Sequence, residues 1–141
     1  MSRATRAETL TSAKKIEYYS DFVTSFAKTP VGNQLSKVVN DKSITQCMRN
    51  LIFTNLGERL FQPYIGSNIN RMLFENNYPE DLDQIEFFVQ NTITNNEPRV
   101  NLLEVNVSSG QSEHEIVIQI IYNTINNPEP INVEYIFKRV R

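Results

Sequence analysis

A chain of 141 residues with 40% hydrophobic and 21% charged residues is composed for one folded domain around one core, not for disorder. Its net charge of −2 does not call for nucleic acid or an anionic membrane as the main partner. A single cysteine, Cys47, excludes an internal disulfide and a CxxC zinc site, and no apolar run is long enough to span a bilayer.

The segment 1–15 is rich in Ser, Thr, Ala, Lys and Arg and is expected to be a flexible basic arm. No apolar stretch follows it, so no secretory signal is expected, and the protein is read as soluble and cytosolic when made. From Ile16 to Val39 the apolar residues show no helical period, and Pro30 and Gly32 interrupt them. This reads as short extended pieces around a loop.

A helix is expected to begin at Asp41 or Ser43, either of which can cap it. Ile44, Cys47, Met48, Leu51 and Ile52 then fall on one helical face, and Gly57 suits a C-terminal stop. Cys47 on that stripe reads as a small core residue rather than a reactive thiol. Residues 57–75, broken by Pro63 and Gly66, are expected to be compact and irregular.

A second helix is expected to open at Pro79, with Glu80, Asp81 and Asp83 near its start complementing the helix dipole. Leu82, Ile85, Val89 and Ile93 form its stripe, Phe88 widens it, and Asn95-Asn96 end it.

The remainder alternates as β-structure. Leu103, Val105 and Val107 form one apolar face, and Ser108-Ser109-Gly110-Gln111 a turn. The run from Ile116 to Tyr122 is nearly all apolar, as in a central strand covered on both faces. Asn126-Asn127-Pro128-Glu129-Pro130 reads as the next turn, and Ile131, Val133, Tyr135 and Phe137 as the inner face of a half-buried strand. The fold class is therefore α+β: a small antiparallel sheet of three to four strands packed by two amphipathic helices, in a single domain over 16–141.

Catalytic patterns are absent. His114 lies between Glu113 and Glu115 in a polar hairpin, and no nucleophile elbow or phosphate loop is present. The acids Glu58, Glu75, Glu86 and Glu97 carry no spacing that sets two of them across a cleft, as a glycosidase requires. The end Lys138-Arg139-Val140-Arg141 is a short charged tail. No cofactor, metal or catalytic residue is expected.

Two stretches carry a resemblance. One is Thr54-Asn55-Leu56-Gly57-Glu58-Arg59-Leu60-Phe61-Gln62-Pro63-Tyr64-Ile65-Gly66-Ser67, and the other is Asn96-Glu97-Pro98-Arg99 before an alternating strand. In this order they resemble the sheath-initiator, or baseplate-wedge, family of contractile phage tails, which is related to a type VI secretion baseplate component. Leu60 and Ile65 depart from the family pattern. The resemblance implies a structural protein of the virion tail baseplate, assembled in the host cytoplasm, six copies to a ring. It implies binding to baseplate wedge proteins, to the tail sheath protein and to tail tube or tube-initiator proteins. It also implies a sheet edge that templates sheath polymerisation by strand addition.

On that basis the expected partner-binding residues are Glu58, Arg59, Glu97, Pro98, Arg99, Val133 and Tyr135. Pro98 stops the helix and keeps Glu97 extended, so Glu97 and Arg99 project to one side. They either pair with each other and pin helix to strand, or meet a wedge partner, which the resemblance favours. Two rival functions are a peptidoglycan glycosidase, since some family members carry a lysozyme label, and a generic adaptor that binds peptides on a sheet edge.

Overall fold

The computed structural model describes residues 18–30, 32–72, 79–112 and 115–138, with side chains omitted for 79–81. The expected basic arm 1–15, Glu75, Glu113, His114 and the end 139–141 lie outside the described residues, as do the side chains of Glu80 and Asp81.

Among the described residues eight elements follow one another: β1 (Ser20–Phe22), β2 (Lys37–Val39), α1 (Asp41–Phe53), α2 (Ile69–Met72), α3 (Pro79–Asn96), β3 (Val100–Ser109), β4 (Glu115–Thr124) and β5 (Asn127–Lys138). β1 and β2 form a two-stranded antiparallel ribbon, and β3-β4-β5 form an antiparallel meander. The chain is thus α+β, a small sheet packed by helices, as its periodicities imply. The extended pieces expected before Val39 are the ribbon, extended by a Lys28–Leu35 bridge.

The helices cover one face of the meander. Ile44, Met48 and Ile52 of α1, Ile69 and Met72 of α2, and Ile85, Val89 and Ile93 of α3 join Val105, Ile116, Ile118, Ile120, Tyr122, Tyr135 and Phe137 in one buried cluster. Residues three and four apart on a helix meet alternate residues on a strand, which makes both stripes apolar. Phe53 ends α1 by stacking on Phe137 at 4.4 Å and meeting Tyr135 edge-on at 6.3 Å. Thr45 lies 2.8 Å from the Tyr122 hydroxyl and its carbonyl accepts from the Tyr135 hydroxyl at 3.2 Å. These bonds satisfy two phenols that would otherwise be buried unpaired.

Four expectations are corrected. The first helix ends at Phe53, so Gly57 is not its stop; it lies in the following loop at φ +84°. Asn40, not Asp41 or Ser43, is the N-cap, and its side chain accepts from the Tyr18 and Tyr19 N–H groups instead of capping the helix. β3 carries a bulge between Leu102 and Glu104, which turns Leu102 toward the core and leaves Leu103 exposed. β4 is central, but one face only is deeply covered, because Val117, Gln119, Ile121 and Asn123 remain half-buried.

The turn before β5 also differs. It is Ile125-Asn126, and Pro128 and Pro130 lie inside the strand. Proline is tolerated there because β5 is an edge. Within 57–75, the single turn of α2 is regular structure that the breakers Pro63 and Gly66 concealed.

The Thr54–Ser67 loop closes against itself at Gly66. Its φ is +140°, and a Cβ there would lie 2.6 Å from the Thr54 carbonyl oxygen. Gly66→Ala is therefore expected to cost about 2–3 kcal/mol in urea unfolding, from strain and the displaced neck of the loop.

Candidate assembly site

Three residues connect α3 to β3, and an ion pair sits there. The Glu97 N–H still bonds to the Ile93 carbonyl at 2.8 Å, completing the helix, and Pro98-Arg99 turn the chain into β3. The Glu97 side chain is 2% exposed. Arg99 grips it as a fork, Nε to Oε1 at 2.6 Å and Nη2 to Oε2 at 2.5 Å. Of the two arrangements the sequence allowed, the structure holds the ion pair. Glu97 thus offers no surface of its own, whereas the Arg99 side chain is 30% exposed.

Two further groups complete the arrangement, and no local pattern points to either of them. The Arg99 guanidinium lies 5.0 Å from the Tyr19 ring centre, which ties the β1–β2 ribbon to the helix end. The Cys47 thiol hydrogen-bonds to Glu97, and burial together with that carboxylate pushes its pKa up to about 11. Cys47 is therefore an unreactive half-buried thiol, in keeping with its place on the α1 stripe. For Glu97, burial alone would raise the pKa. The hydrogen bonds from Arg99 and Cys47, with the Arg99 charge, outweigh burial and hold the carboxyl below its usual value.

The other expected residues are dispersed. Pro98 is exposed beside the pair. Glu58 and Arg59 are exposed in the Thr54–Ser67 loop, where Glu58 accepts the Asn55 N–H at 2.8 Å and Arg59 donates to Gln62 at 3.3 Å. A cleft of about 240 Å³ lined by Cys47, Arg59 and Asn96, among others, joins that loop to the end of α3. Val133 and Tyr135 lie on the inner face of β5, Val133 half-buried and Tyr135 buried. Their side chains belong to the core, so a partner reaches that strand only through its backbone edge.

Among the described residues no group of three or more His, Cys, Asp or Glu could hold a metal ion, and no helix is long and apolar enough to cross a membrane. What the geometry offers is a charged fastener, a tightly bonded loop and two sheet edges, the furnishings of a small assembly module. Residues 38–129 match the family of baseplate wedge protein gp25, and the chain belongs to that family.

Baseplate wedge protein gp25 of Enterobacteria phage T4 is 31% identical over 97 residues, covering 69% of this chain and 74% of that protein. A Geobacter sulfurreducens protein described as a candidate tail lysozyme superposes with a TM-score of 0.66 at 27% identity, covering 72% of this chain and 92% of that one. A chain of the anti-feeding prophage baseplate shares the fold, with a TM-score of 0.60 at 18% identity and 85% coverage of each. The protein is accordingly a baseplate component of a contractile tail system.

The ion pair predicts an asymmetry. Arg99→Ala strands a buried carboxylate and is expected to cost about 3–5 kcal/mol in urea unfolding. Glu97→Ala leaves a partly solvated guanidinium and is expected to cost about 1–3 kcal/mol. Because the folded-state pKa of Glu97 is depressed, its contribution is fully present above the unfolded value of about 4.3 and is lost as pH falls through the folded value. Stability measured below about pH 4.5 should therefore fall more steeply in the parent than in Glu97→Gln.

Proposed function

We propose that this subunit binds inner wedge proteins of the baseplate and starts the tail sheath by lending a sheet edge to a strand of the first sheath subunits. The observation that carries this reading is the regular edge of β5. From Ile131 to Lys138 it pairs with β4 in unbroken register, Tyr122↔Ile131 through Glu115↔Lys138, while its other side has no strand among the described residues. Unpaired N–H and C=O groups along such an edge favour strand addition. β3, the opposite edge, is interrupted by its bulge at Leu103. Pro128 and Pro130 blunt the first part of β5, which would confine an added strand to the regular stretch.

In the same reading the exposed side of Arg99, with Pro98, Glu58 and Arg59, meets wedge proteins, and Glu97 positions Arg99. Tail tube or tube-initiator proteins are neighbours, the ring holds six copies, and assembly takes place in the host cytoplasm before the subunit enters the virion.

The role is non-catalytic. A retaining or inverting glycosidase needs one carboxyl of raised pKa facing a second across about 5–9.5 Å. Glu97 is held ionised by Arg99, the opposite condition. Of three clefts among the described residues, one is lined by Asp41 as its lone acid, one by Asp21, and one by no acid.

Successive residues of a strand point their N–H groups to opposite sides. Between Val133→Pro and Glu134→Pro, one removes a bond to β4 and the other a donor on the free edge. The edge variant is expected to stay folded by circular dichroism, to enter baseplates and to yield tails without sheath under the electron microscope. Full-length sheaths on tails carrying that variant would exclude β5 as the template.

A further inference from the structure

The Thr54–Ser67 loop is built more firmly than a connection requires. The Asn55–Ser67 bridge closes its neck, with the Ser67 N–H on the Thr54 carbonyl at 2.8 Å and the Ser67 hydroxyl on the Ile52 carbonyl at 2.5 Å. Within it, the Gly57 N–H bonds to the Pro63 carbonyl at 2.8 Å, Gln62 to Arg59 at 3.2 Å and Ile65 to Gln62 at 3.1 Å. Adjoining ends and internal bonding define a compact Ω-loop with one shape. Yet Leu60, Phe61 and Tyr64 are 90%, 96% and 88% exposed. A loop that only joined α1 to α2 could carry polar residues at these positions without loss of fold.

We propose that Leu60, Phe61 and Tyr64 form an anchor that inserts into a concave apolar pocket on a different protein of the baseplate; this rests on the baseplate reading above. Rigid presentation of large apolar groups lowers the ordering cost of binding, and aromatic anchors seated in pockets dominate interface energetics. A second copy of this chain is a poor occupant. In a symmetric pair it would present the same projecting loop, convex against convex, and no concave seat for the three side chains.

Charge also selects the partner. Glu58 and Arg59 are the loop's charged residues and have opposite signs, so neither an anionic lipid surface nor nucleic acid finds a basic complement. At the base of the loop a cleft lined by Leu56, Tyr64, Phe88, Asn91 and Asn95, among others, adds uncharged amides to an apolar wall. The fitting partner is a polypeptide whose apolar pocket is bordered by backbone or amide groups.

The test places p-benzoylphenylalanine at position 61 of the full chain in assembled tails, followed by irradiation and mass spectrometry of the adducts. An adduct to one other baseplate chain, at apolar residues, is expected. Adducts to a second copy, to lipid, or to no protein would overturn the proposal. In parallel, the Leu60→Ser/Phe61→Ser variant should keep its Tm within about 2 °C of the parent, as exposed substitutions do. It should co-purify at least tenfold less with wedges isolated from tails lacking this chain. A large fall in Tm would show that the side chains serve the fold, and undiminished co-purification would show that they anchor nothing; either overturns the proposal and leaves the baseplate reading standing. Failure of the parent chain itself to join the wedges would overturn both.

Discussion

A buried carboxylate at the end of a helix is unfavourable twice over. It loses its hydration, and it faces the negative end of the helix dipole. Glu97 occupies that position, and Arg99 two residues later compensates both costs with a bidentate, charge-assisted grip. The remaining contacts of the pair come from elsewhere in the chain, the Cys47 thiol from α1 and the Tyr19 ring from the start of the ribbon. One ion pair therefore fixes how α3 leaves the core, how β3 enters the sheet and where the ribbon rests. The rest of the α3 stripe, Ile85, Val89 and Ile93, joins the core shared with the sheet.

This arrangement separates fold from docking. Side chains of the meander's inner face go to the core, including Tyr135, whose hydroxyl is spent on the Thr45 carbonyl. Among the described residues, the surfaces left for other proteins include backbone along the edges, the exposed side of Arg99 and the projecting loop. The proposed sheath contact uses the first of these, because an added strand needs no side-chain pocket. Bulge and prolines distinguish the edges: Leu103 interrupts β3, whereas β5 is plain from Ile131 onward.

Much of this was legible in the sequence, and the misreadings have physical causes. Helical and strand periods located α1, α3 and the three strands, because each has one buried face to satisfy. Alternation could not reveal the bulge, since Leu102 and Leu103 are both leucines and the choice of which turns inward is made by the register with Tyr122 and Ile121. Gly57 looked like a helix stop because a positive φ is needed there, but the need belongs to the loop. Pro128 and Pro130 looked like turn residues because the edge position that tolerates them is a property of the whole sheet. At the site, Glu97-Pro98-Arg99 was visible as a unit, but its direction was not. Whether the charges face inward depends on Cys47 and Tyr19, about 50 and 78 residues upstream, and no local pattern encodes that contact.

The most direct test of the account is a side-chain-resolution reconstruction of the sheathed baseplate containing this subunit. The account predicts that Glu97 remains inside, clasped by Arg99, and that a strand from a sheath subunit lies along β5 between Ile131 and Lys138. A structure in which Glu97 swings out to a neighbouring protein, or in which β5 stays unpaired while sheath begins elsewhere, would contradict it.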